Sequence, residues 1–84
     1  MSDELTIMAQ EELNSACSLT WPELKRITPW GDSFEGFAPS GRTVEVERRY
    51  LWALDPEGAI IVEVEVRDAS AREGVETRAI LQAP

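Results

Sequence analysis

Hydrophobic residues recur along this chain with two different periods, and the change falls near residue 32. In SDELTIMAQEELNSAC (2–17), Leu5, Met8, Ala9, Leu13 and Ala16 follow the i, i+3, i+4 spacing of one helical face, with Glu4, Glu11 and Asn14 opposite. Ser2 can cap this helix, and Asp3 and Glu4 stand where the helix dipole favours anions. A shorter helix is predicted in TWPELKRI. There Thr20 and Glu23 have the spacing of a capping box, Pro22 falls in the first turn, and Lys25 and Arg26 complement the carbonyl end. Pro29 disfavours helix at Thr28, which leaves about two turns, too few to persist without tertiary packing.

From Asp32 onward the period is two, and four strands are predicted: DSFEGFA, RTVEVERRYLWAL, AIIVEVEVR and VETRAILQ. The turns APSG and DPEG are both x-Pro-x-Gly, with proline suited to the second position of a type I turn and glycine to the left-handed position after it. Both therefore predict three-residue hairpin loops with a bulge. Closing DPEG in this way sets Asp55 opposite Ala59, and then Trp52 opposite Val62, Tyr50 opposite Val64 and Arg48 opposite Val66 on the core face. On the outer face the same register sets Arg49 against Glu65 and Glu47 against Arg67. APSG aligns Phe34 with Val46, Gly36 with Val44 and Glu35 with Glu45. Matching core faces in the last hairpin pairs Val66 with Val75, Val64 with Thr77, Glu63 with Arg78 and Ile61 with Ile80. The predicted fold is α+β: two N-terminal helices packed on one face of a four-stranded antiparallel β-meander, in a single domain over residues 1–84.

Composition agrees with a small folded domain. At 84 residues the chain buries about 60–65% of its unfolded surface, and 43% hydrophobic with 29% charged residues suits a globular chain. The single Cys17 has no partner within the chain, which points to a reducing, cytoplasmic setting and a structural cysteine. MSDELTIMAQEEL reads as no secretory leader, and no apolar run is long enough to span a membrane.

Charge changes the picture more. The formal net charge is −8, divided equally between residues 1–42 and 43–84, so the negative potential belongs to the folded surface. Such a field repels nucleic acid and anionic membranes and attracts basic proteins. Within the alternating IIVEVEVRD and TVEVERR, Glu47, Glu63 and Glu65 are each expected opposite an arginine, an ordinary solvated ladder. Glu35 and Glu45 are expected to face each other with no base between them, and like charges directly opposite cost stability. With Asp32, Glu11, Glu12 and Glu76, and with Trp30 as an exposed aromatic anchor, they make the candidate partner-binding surface. Further acids lie in the helix and turns.

No enzyme is expected. Histidine is absent, and no phosphate-binding loop, dinucleotide turn or nucleophile elbow occurs. A lone cysteine builds no zinc site, and Glu35 with Glu45 supply too few converging oxygens for a hard cation, so neither metal nor cofactor is expected. Arg48, on the apolar face, is expected at the sheet margin or paired with a helix acid such as Glu12. Leu51, Ala53, Ile61 and Ile80 form an apolar patch on the outer face; Leu51, Ile61 and Ile80 are candidates for self-association, to which the open sheet edges add a second route.

In size, acidity and lack of catalytic motifs the chain resembles the small anti-CRISPR proteins of phages and mobile elements, some of which act as DNA mimics. That resemblance implies a DNA-binding or PAM-reading subunit of a CRISPR effector as target. The expectation is a non-enzymatic inhibitor, monomer or weak homodimer, that blocks a basic nucleic-acid-binding surface without touching nucleic acid or membrane itself. The alternative is a structural or regulatory subunit that associates through the apolar patch.

Overall fold

In a computed structural model, which describes residues 3–70 and 73–84, the first periodic segment is the helix α1 (Asp3–Cys17). Leu5, Ala9, Leu13 and Ala16 are buried along it and Met8 is half-buried, as the spacing requires. Glu4, expected on the solvent side, instead lies half-buried and bonded to Ser40 and Arg42, because the loop after the first strand rises to meet it. The expected Ser2 cap lies outside the described residues. Helix α2 (Trp21–Ile27) opens with the predicted capping box: the Glu23 N–H donates to Thr20 Oγ1 (3.4 Å) and the Thr20 N–H to Glu23 Oε1 (2.8 Å). It ends at Thr28, whose backbone is extended ahead of Pro29.

The strands β1 (Gly31–Phe37), β2 (Thr43–Trp52), β3 (Ile60–Asp68) and β4 (Gly74–Leu81) form one antiparallel sheet in sequence order. The pairings Phe34–Val46 and Glu35–Glu45 in the first hairpin, and Val66–Val75 and Glu63–Arg78 in the last, are those the pattern predicts. The middle hairpin corrects its prediction by two residues. Trp52 pairs with Ile60, Tyr50 with Val62, Arg48 with Val64 and Arg49 with Glu63. The two x-Pro-x-Gly turns differ in which residue is left-handed. In APSG it is Gly41 (φ 95°), and the Ala38 N–H to Arg42 carbonyl bond (2.9 Å) closes a three-residue loop. In DPEG it is Glu57 (φ 68°), the third residue, as in a type II turn; Leu54 and Asp55 leave the ladder, and Ala53 closes on Ala59 (2.9 Å). Helix α2 holds this wider loop, with Trp21 Nε1 donating to the Gly58 carbonyl (2.9 Å) and Lys25 Nζ bonding Glu57 (2.6 Å). A slip of two keeps every side chain on its predicted face, which is why the hydrophobic pattern alone could not detect it.

Helix α1 lies across β3 and β4, with α2 against β3. Val62, Val64, Val66 and Ile60 of β3 are fully buried beneath them, together with Leu5, Leu24, Val44 and Val46. Each such side chain contributes roughly 1.5–3 kcal/mol. Strand β1 is different: six of its seven residues are exposed, on both faces. Phe34, opposite the buried Val46, is 41% exposed, because two short helices do not reach across four strands. A side chain added at Gly36, on the same face, would meet nothing within 4 Å.

Candidate functional site

The pleat sorts the predicted acids onto two sides of the sheet. Directly paired residues share a face, so the outer face carries the rows Glu35–Glu45–Arg67, Ser33–Glu47–Glu65–Glu76 and Arg49–Glu63–Arg78, ending in Leu51–Ile61–Ile80. The two-residue slip in the middle hairpin decides this layout. Glu47 and Glu65, each expected opposite an arginine, instead face each other, with Glu76 beyond Glu65, while Glu63 lies between two arginines. Adjacent strands stand about 4.8 Å apart, so Glu47, Glu65 and Glu76 form a close line of like charges.

Arginines make that line tolerable by reaching along the strands. Arg49 bridges Glu47 (3.0 Å), Glu63 (3.0 Å), Glu65 (3.7 Å) and Glu76 (2.6 Å). Its hydrogen bond to Glu63, against some desolvation, raises its already high pKa, so this hub stays charged at any ordinary pH. Arg67 reaches Glu45 (3.3 Å) and Glu65 (3.6 Å), and Arg78 reaches Glu63 (3.7 Å). Among the described residues Glu35 has no ion-pair partner, although it stands directly opposite Glu45. The face thus gathers Glu35, Glu45, Glu47, Glu63, Glu65 and Glu76 around Arg49, Arg67 and Arg78, two carboxylates for each guanidinium. Between β1 and β2 it holds a hollow of about 230 Å³ lined by Ser33, Phe34, Glu35, Glu45, Val46, Glu47 and Arg67.

The other predicted acids do not join this face. Asp32 lies on the helix side, where both of its oxygens accept from Arg48; that hydrogen bond holds its carboxyl below the usual range. Glu12 reaches Arg48 from α1 (3.7 Å), so the pairing expected for Arg48 forms, with Asp32 as the closer partner. The Arg48 guanidinium also lies over the Phe34 ring, 5.1 Å from its centroid. Glu11 is exposed on α1, on the far side from the outer sheet face, with no ion-pair partner among the described residues. Trp30 is 70% exposed and borders a groove of about 340 Å³ with Leu19, Ile27, Gly31, Asp32, Arg48 and Tyr50. Burial raises the Tyr50 phenol and the Cys17 thiol, so neither ionises readily, which suits structural roles.

The candidate self-association residues do come together, Leu51, Ile61 and Ile80 being direct neighbours across three strands. Leu51 and Ile80 are exposed and Ile61 half-buried. Pattern reasoning missed the exposed rings flanking β1, Phe34 and the 75% exposed Phe37. The available signal was the shortage of helix to cover a fourth strand. Among the described residues no cluster of acids, cysteines or histidines has a metal-holding geometry, and no helix is long and apolar enough to cross a membrane. No family model, curated protein or solved structure matches the chain.

Proposed function

We propose that this chain is a non-enzymatic binding protein that docks the uncovered outer face of its sheet on a basic, nucleic-acid-binding surface of another protein and so excludes DNA from it. The observation that supports this reading is the excess of carboxylates on that face, with Glu35 set against Glu45 and Glu47, Glu65 and Glu76 in line. Like-charged neighbours of this kind cost stability, and a freely solvated sheet has no need of them. The arginines pattern the face without cancelling it, since pairing leaves the sum of charges unchanged and a partner beyond contact distance senses that sum. They also narrow the reading. At contact, a complementary partner offers basic side chains to Glu35, Glu45 and Glu76 and an acceptor near Arg67 or Arg78, which is a more specific demand than that of uniform phosphate. Asp32, Glu12 and Glu11 fall outside this contact, and Trp30 lies on the opposite side of the sheet.

By class resemblance the target is a DNA-binding subunit of a CRISPR effector. The test is displacement of labelled duplex from such effector complexes, read by fluorescence anisotropy. Displacement should be steeply weakened by salt and lost in the double variant Glu35→Lys, Glu45→Lys, while the helix-side variant Glu11→Lys retains it. Displacement indifferent to salt and to the double variant removes the reading. The second reading, a subunit joining an assembly through the row Leu51–Ile61–Ile80, rests on the contiguity of that row. It predicts salt-tolerant association abolished by Ile61→Asp.

A further inference from the structure

Strand β1 ends the sheet, and its hydrogen-bonding edge can be read from the ladder. The Ala38 N–H donates to Arg42 (2.9 Å) and the Trp30 carbonyl accepts from Tyr50 (3.2 Å), so the even-numbered positions of β1 make the bonds to β2. The N–H and C=O groups of Gly31, Ser33, Glu35 and Phe37 therefore point away from the sheet, and no hydrogen bond within the described residues takes them up. Most of the usual guards are missing from this edge: it carries no lysine, proline or bulge, no helix lies along it, its inward charge Asp32 is paired with Arg48, and Glu35 is its single charged residue at an outward position. Three exposed rings border it: Trp30, Phe34 and Phe37.

We infer that β1 pairs antiparallel with β1 of a second copy of this chain about a twofold axis at Phe34, joining the two sheets into one. In that register Ser33 exchanges both backbone bonds with Glu35 of the second copy, and Gly31 does so with Phe37, so every outward group of β1 finds a partner. Phe34 meets its own counterpart as a non-hydrogen-bonded pair, the closer kind, which gives an exposed ring an aromatic neighbour. The Phe37 ring falls over Gly31 of the second copy, where the missing side chain leaves it room. Gly31 cannot be otherwise, since a Cβ there would stand 2.4 Å from the Arg48 carbonyl oxygen.

Neighbouring registers are worse for identifiable reasons. A shift of one position towards the C-terminus sets Glu35 against Glu35, and a shift the other way sets Asp32 against Phe34 and strands the Phe37 backbone. The other edge, β4, would set Glu76 against Arg78 of a second copy. It has no exposed aromatic ring, however, it carries charged side chains at its outward positions, and it already lies under α1. The β1 contact leaves the outer face open and extends it across both copies, and it stands whether or not that face docks on a basic partner.

Sedimentation equilibrium of the full chain, with amide hydrogen exchange at low and high concentration, tests the contact. A reversible dimer is expected, with the Ser33 and Glu35 amides gaining protection as concentration rises while those of Phe34 and Gly36 are protected throughout. Because both chains carry −8, added salt should tighten it, the opposite of docking on a basic surface. Ser33→Pro deletes an outward N–H, leaves every bond to β2 in place, and should weaken dimerisation by roughly tenfold or more. Phe34→Lys, which keeps the backbone ladder, gives up the contact with Arg48 and sets two like charges face to face across the axis, should weaken it similarly. Arg78→Pro and Ile61→Asp, at the β4 edge and on the apolar row, should leave it unchanged. A chain that stays monomeric at all concentrations, or a dimer that survives Ser33→Pro and Phe34→Lys, or one broken instead by Arg78→Pro or Ile61→Asp, overturns the inference.

Discussion

Strands β1 and β3 are both alternating segments of the same sheet, yet one is buried at every second residue and the other is exposed almost throughout. Their sequences contain the cause. IIVEVEVRD supplies an aliphatic side chain at four of its five inward positions, Ile60, Val62, Val64 and Val66, with the buried Asp68 as the fifth, whereas DSFEGF supplies Asp32, Phe34 and Gly36. Helix α1 follows the richer strip, crossing β3 and β4, and leaves β1 as a flap held by its ladder to β2 and by the Asp32–Arg48 pair. The comparison shows how a small domain divides its surfaces. Where the core can be closed, the strand serves stability; where it cannot, backbone and rings remain open for contact.

The sharpest way to test that division is to damage each half equally. Leu5→Ala, at a fully buried site beneath α1, should cost about 2–5 kcal/mol in urea denaturation, a large share of the stability of so small a domain. Phe34→Ala in β1 should cost under about 1 kcal/mol in the monomer, much of it the lost contact with Arg48. Equal losses would erase the distinction. Next in size is Arg49→Met, which leaves Glu47, Glu65 and Glu76 in line without their hub; a loss of roughly 1–2 kcal/mol is expected, smaller in high salt. A salt-independent loss would mean that the arginine acts by packing instead.

Acid should act on the margins of the sheet, where three carboxyls are held low. Asp32, held low by its hydrogen bond to Arg48, and Asp68, held low by the Ser70 backbone and hydroxyl, have folded values beneath their ordinary 3.8. Glu4 is lowered beneath 4.5, chiefly by Ser40. A depressed carboxyl adds stability in full above its unfolded value and loses it as pH falls through the folded one. Urea midpoints should therefore hold steady above about pH 5 and fall steadily below pH 4. Asp32→Asn should flatten that fall, and an unchanged slope would contradict the role given to the Arg48 pair. The smallest effect is a gain. Gly36→Thr, at an open position of a strand, should stabilise by about 0.5–1 kcal/mol, and a loss would show that the β1 face is more crowded than it looks.

Much of this was legible beforehand, and the failures have specific physical causes. Thr20 with Glu23, Pro22 and Pro29 marked both ends of α2, because capping and proline chemistry act within a few residues. Two of three hairpin registers followed from turn residues and matching faces. The third failed at DPEG, where Glu57 and not Gly58 adopts the left-handed conformation, with Trp21 and Lys25 of a distant helix holding the loop. Of the candidate acids, Glu35 and Glu11 have no ion pair among the described residues and Glu12 meets Arg48, as expected, whereas Asp32, Glu45 and Glu76 each meet an arginine that the pattern did not assign to them. Which of them share a face followed only once register and helix placement were known: Glu35, Glu45 and Glu76 together, Asp32 and Glu12 gathered by Arg48 on the other side.

Local chemistry along the chain was enough to specify element type, order, meander topology and the inward or outward sense of each side chain, since periodicity and capping depend on near neighbours. Long-range packing chose the rest: the two-residue slip in the middle hairpin, the strip of sheet that the helices cover, and the bare β1 edge. Those outcomes depend on how much apolar area each alternative buries and on contacts between segments 37 and 38 residues apart, such as Trp21 with Gly58 and Glu4 with Arg42.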